Sequence, residues 1–98
     1  MKPFEIEVSG NEIRLRLVGE VTVEHARVLR AALHVPPEKS ELAIDAAGVT
    51  RLDAAVLQVL LAATARATRV RVEARSDAWD EAFRRYALRR TKLTTANE

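Results

Sequence analysis

The chain has no cysteine among its 98 residues. Without thiols there is no disulfide framework, no thiolate metal site and no thiol nucleophile, so zinc ribbons and cysteine hydrolases are excluded. Glycine is almost as scarce. Gly10, Gly19 and Gly48 are the only three, and they lie far apart in sequence, so no glycine-rich phosphate loop can be assembled. Neither a Gly-x-Ser-x-Gly elbow nor a His-Glu-x-x-His pair occurs. No apolar run approaches the roughly 20 residues that cross a bilayer, so membrane insertion is not expected. The opening MKPFEIEV alternates charged with apolar residues and lacks the apolar centre of a signal peptide, which points to the cytoplasm.

What is present describes an ordinary globule: 48% hydrophobic and 31% charged residues, enough for one core and not for two. The expectation is a single domain over residues 1–90 with a flexible tail at 91–98. The net charge of +2 hides an asymmetry, with 7 basic against 9 acidic residues up to Ala65 and 9 against 5 from Arg66 onward. A nucleic-acid interface would use the late arginines and Lys92 as phosphate contacts. They come without stacking aromatics or a known binding module, so a solvated surface is the preferred reading.

Along the chain, Phe4, Ile6 and Val8 alternate with Glu5 and Glu7, the period of a strand with one buried face. Ser9-Gly10-Asn11 reads as a tight turn, and Ile13, Leu15 and Leu17 alternate with Glu12, Arg14 and Arg16. An antiparallel hairpin follows, its outward charges placed to pair across the strands. Thr22 then caps an amphipathic helix over Val23 to His34, with Ala26, Leu29 and Leu33 as its buried stripe and Pro36-Pro37 as its stop. His25 and His34 have no partners at metal-ligand or catalytic spacing, which leaves them solvated or helix-terminal roles.

Leu42, Ala43 and Ile44 form the next strand, closed by Asp45 and followed by a turn at Ala47-Gly48. Asp53 stands at the N-cap of a long, nearly all-apolar helix, its carboxylate able to accept from a first-turn N–H. That helix should bury one face and display alanines on the other. A fourth strand runs from Arg69 to Ala74, with Val70, Val72 and Ala74 inward. Ser76 then caps a last helix with acidic residues early, arginines late, and a stripe of Trp79, Ala82, Phe83, Tyr86 and Ala87. The order β-β-α-β-α-β-α predicts an α/β fold with a four-stranded mixed sheet: strands two to four parallel, the first antiparallel, and helices mainly on one face. Asp45 and Asp53 would then come near each other at the carboxyl end of the sheet, where a metal or acid-base pair could be sought. Turn formation and helix capping explain both without chemistry, so no catalytic residue, metal or cofactor is expected.

The run Ile44-Asp45-x-x-Gly48-Val49-x-x-Leu52-Asp53-Ala54-Ala55-x-Leu57-x-x-Leu60-Leu61 resembles the core of the STAS domain family of bacterial anti-sigma-factor antagonists. Gly19-Glu20-Val21-Thr22 resembles the family's turn into its first helix. The resemblance implies the STAS fold and a non-enzymatic, partner-binding role. In phosphorylation-switched members the residue after the second Asp is a serine or threonine. Here it is Ala54, which has no hydroxyl, and Val56 replaces the motif's glycine. The nearest hydroxyl, Thr50, does not match the motif position. The segment from Leu52 to Gln58 is also similar to STAS proteins of chemosensory systems. The implied partner is an anti-sigma, histidine-kinase-like or chemosensory protein, bound through Asp53, Ala54, Ala55, Gln58 and Thr50. A second reading, from a related group, is the small cytoplasmic subunit of a lipid-transport ABC complex.

Overall fold

The computed structural model describes residues 3–34 and 40–86. Seven elements follow in the expected order: β1 (Phe4–Ser9), β2 (Glu12–Val21), α1 (Val23–His34), β3 (Glu41–Leu52), α2 (Ala54–Arg66), β4 (Arg69–Arg75) and α3 (Asp77–Arg85). They build one sheet in the order β1-β2-β3-β4. β1 is antiparallel to β2, with Phe4 opposite Leu17 and Ser9 opposite Glu12 across a turn whose Gly10 has φ 61°. β2, β3 and β4 are parallel, joined by α1 and α2.

The core lies between the sheet and the three helices. Leu15, Leu17, Ile44 and Val72 point up from the strands and meet Leu29 and Leu33 of α1, Leu57 and Leu60 of α2, and Trp79 and Phe83 of α3. The stripe expected for α1 is the one buried. For α3 the stripe is shorter than expected, because the helix ends at Arg85 and Tyr86 is 37% exposed at its C-cap. Ala87 lies outside the described residues, as do Pro36-Pro37, Arg89, Arg90, Lys92 and the segment expected to be a tail.

Two expectations about the sheet are corrected. Asp45 does not close β3, and Ala47-Gly48 is not a turn, since the strand runs on to Leu52. The extra length is taken up by two register shifts against β2: Arg16 and Val18 face Asp45 and Gly48, and Gly19 and Glu20 face Val49 and Arg51. Each inserts one additional residue in β3, as a bulge does, so inward residues go from Ala46 to Val49 and then to Leu52 rather than every second position.

The second correction concerns the open face of the sheet. Glu5 faces Arg16 and Glu7 faces Arg14 in register, yet Arg14 turns the other way. Its guanidinium donates to Glu12 Oε1 at 3.3 Å and crosses β3 to Glu73 Oε1 at 2.6 Å. Arg71 donates back to Glu12 Oε1 at 3.0 Å. The crossing is open because Ala43, in register between Arg14 and Arg71, offers only a methyl group beneath it.

Candidate functional site

The site expected from sequence begins where β3 ends. Asp53 occupies the N-cap position of α2 with extended backbone, φ −87° and ψ 158°, but its side chain makes no bond to that helix. Its Oδ2 instead accepts from the backbone N–H of Val23, the first residue of α1, at 3.1 Å. Oδ1 accepts from Arg51 Nε at 3.3 Å. The expected local cap is thus replaced by a cross-link between two helix starts. The physical reason is the parallel pairing of β2 and β3, which ends both strands together: Val21 faces Leu52, and Asp53 N–H donates to Val21 O at 3.2 Å. One carboxylate then sits at the positive ends of two helix dipoles. α2 has no acidic residue in its first turn, so Asp53 alone supplies negative charge at that start.

The start of α1 is fixed from its own side as well. His25 Nδ1 accepts from the backbone N–H of Thr22 at 3.1 Å, a capping-box bond in which a ring nitrogen stands where a Glu or Gln oxygen is usual. The helix-terminal role expected for His25 is this bond, and it places the ring proton on Nε2. The Thr22 hydroxyl donates to Glu24 Oε1 at 3.3 Å.

Apart from the exposed Arg51, the residues expected to surround Asp53 are small and uncharged. Ala54 and Gln58 are exposed, Ala55 is half-buried, and Thr50 is exposed on the last stretch of β3. The five expected residues do not line one hollow. Thr50 borders a depression between the end of β3 and α3, with Arg51, Ala78, Glu81 and Arg85. Gln58 borders a groove between α1 and α2, floored by Leu33, Val59, Ala62 and Ala63 and rimmed by Arg30, His34 and Arg66. Asp53, Ala54 and Ala55 form the ridge at the head of α2. Sequence reasoning missed Val23, whose side chain is 65% exposed and whose backbone touches Asp53. A signal existed: Val23 is an apolar residue off the Ala26-Leu29-Leu33 stripe.

The carboxylate pair weighed from sequence is taken apart by the long strand. Asp45 lies mid-strand beside Arg16 and Ala74, its Oδ1 accepting from Ala47 N–H at 3.1 Å. Eight strand residues at roughly 3.3 Å each separate it from Asp53. Among the described residues, no three His, Cys, Asp or Glu side chains converge as a metal site would need. Among them, too, no helix is long and apolar enough to cross a membrane.

No curated protein matches the chain. A family model described as Mlab, STAS domain, matches residues 4–95, nearly the whole length. That match joins the β-β-α-β-α-β-α order, the mixed four-stranded sheet and the strand-to-helix motif at Asp53, and the family's members are in general non-enzymatic regulatory or binding modules. This chain belongs to the STAS domain family.

Proposed function

We propose that the chain is a non-enzymatic regulatory module that binds a signalling protein of the anti-sigma or chemosensory-kinase type through the head of α2, without a phosphoryl switch. The observation that carries this reading is the commitment of the Asp53 carboxylate to Val23 N–H and Arg51. With the Asp53 carboxylate held by Val23 N–H, the ridge presents Ala54, Ala55 and Gln58, flanked by Thr50 and the exposed Arg51. A small, flat contact of this kind loses little conformational entropy on docking.

The absence of a hydroxyl at Ala54 supports permanent competence. A phosphoryl group at that place would add close to two negative charges beside Asp53, and like charge together with desolvation opposes docking. A methyl group there leaves the surface in the state that phosphorylated relatives reach only after dephosphorylation.

The test is a pull-down of candidate partners with the wild-type chain and with Ala54→Glu and Gln58→Arg, both at exposed positions that keep the fold. Loss of capture by either variant, with unchanged thermal melting, supports the ridge as the contact. Retained affinity in both would overturn it. Co-purification with a permease or ATPase in place of a kinase would move the partner to the lipid-transport class. Stoichiometric phosphorylation of Thr50 by a captured kinase would restore a switch that Ala54 lacks.

A further inference from the structure

The two outer edges of the sheet are complementary to each other, and neither has a strand beside it among the described residues. β1 has six residues and β4 seven. On the open face, β1 carries Glu5 and Glu7, and β4 carries Arg69, Arg71 and Glu73. Arg75, past a register shift after Val72, turns to the helix-covered face and pairs with Asp80 of α3 at 3.6 Å. Glu5, Glu7 and Arg69 take part in no ion pair among the described residues, because Arg14 and Arg71 are drawn inward across β3. On the helix-covered face, Ile6 and Val70 are only partly buried, and Val8 is 51% exposed. A valine half in water on the covered side of a sheet is what an edge looks like when the next strand is missing.

We infer that this protein self-associates head to tail, the β1 edge of one copy adding to the β4 edge of the next. β1 is antiparallel to the other strands, so a neighbouring copy with its helices on the same side brings its β1 antiparallel to β4. In the register that sets Glu7 against Arg69, Glu5 faces Arg71 and Ile6 faces Val70, with Val8 diagonal to Val70. Opposite charges align on one face and apolar groups on the other, as cross-strand pairs require. Two β1 edges cannot meet equally well, since Glu5 and Glu7 would confront one another, nor can two β4 edges, where Arg69 and Arg71 would meet their own copies while Glu73 is already held by Arg14 and Arg71. The contact is therefore heterologous and does not close on itself, giving chains of copies along a twisted, continuous sheet. A single six-residue edge is small for a stable interface, so association rises with concentration and falls with salt. The head of α2 lies outside this contact and stays available.

Sedimentation of the full chain across a concentration series tests the inference, using Glu7→Lys and Arg69→Glu, two substitutions that break no ion pair among the described residues. The wild type is expected to climb past twice the monomer mass, and each variant alone to stay monomeric at the same concentrations. Glu7→Lys carries basic groups on both edges and Arg69→Glu loses the partner of Glu7, so an equimolar mixture is expected to regain association through the swapped pair. A wild type that is monomeric throughout, or that stops at a dimer, would overturn the proposal. So would variants that associate like the wild type, or a mixture that stays monomeric.

Discussion

α2 and α3 begin with nearly the same backbone and opposite logic. Ser76, at φ −100° and ψ 168°, accepts from Trp79 N–H at 3.1 Å and so caps the helix it precedes. Asp53, at φ −87° and ψ 158°, leaves its own helix and holds α1. Both residues are good caps by type, so residue preference cannot distinguish them. What differs is surroundings. The N-cap of α3 follows the edge strand β4, with no second helix start alongside, whereas Asp53 leaves the central strand next to the end of β2. A local rule holds where there is no competing donor, and yields to tertiary pairing where there is one. The departure falls on the surface proposed for binding, where a conflict between local preference and overall structure is most expected.

The largest effect expected from breaking this contrast is that of Asp53→Ala. Removing a charged acceptor shared by Val23 N–H and Arg51 should cost about 2 kcal/mol, read as a lower urea midpoint at unchanged slope. Amide exchange at Val23 should accelerate with it. Asp53→Ser sharpens the comparison, because serine can cap α2 locally but is too short to replace the carboxylate on Val23. It should recover about 1 kcal/mol of the loss while leaving Val23 exchange fast. Full recovery of both would mean that the bond to α1 contributes nothing.

Much of the architecture was legible because it is written in short-range patterns. The hairpin followed from alternation on either side of Gly10, and the α1 stripe from Ala26, Leu29 and Leu33. The Ser76 cap followed from one residue and what comes after it. The misreadings share a cause: each depended on a neighbour distant in sequence. Ala47-Gly48 looked like a turn because alternation fails there, yet the failure is a bulge set by pairing with Val18 and Gly19 of β2. The outward charges of the hairpin read as partners for one another, but the small Ala43 on the adjacent strand opens a path from Arg14 to Glu73. At the candidate site, the motif located Asp53 and Ala54 correctly at the strand-to-helix junction, while the bond to Val23 had no local trace.

Ser76→Ala is expected to be the milder counterpart of Asp53→Ala, costing about 1 kcal/mol, because it removes one neutral cap and leaves α3 held by buried Trp79 and Phe83. The two losses should add in the double variant, since α2 and α3 begin at separate places and share no bond. Coupling between them would mean that the two starts communicate through β3, and that they differ only in degree. His25→Ala should cost less again, about 0.5 kcal/mol, since it removes one neutral bond from the Thr22 N–H, while the separate bond from His25 N–H to the Thr22 carbonyl at 2.9 Å still holds the first turn.

The smallest effect belongs to Arg51, and it decides which of the two Asp53 contacts fixes the carboxylate. The Arg51 side chain is 62% exposed and its bond to Oδ1 is 3.3 Å long, so solvent competes for the guanidinium and the pair contributes little. The Val23 N–H is a backbone donor at a helix start with no intrahelical acceptor, and losing its partner leaves an orphan group. Arg51→Ala should therefore change stability by less than about 0.5 kcal/mol and leave Val23 exchange slow. If it instead reproduced the Asp53→Ala loss, Arg51 would be orienting the carboxylate, and the link between the two helix starts would be a consequence of that ion pair rather than the reason Asp53 abandons its own helix.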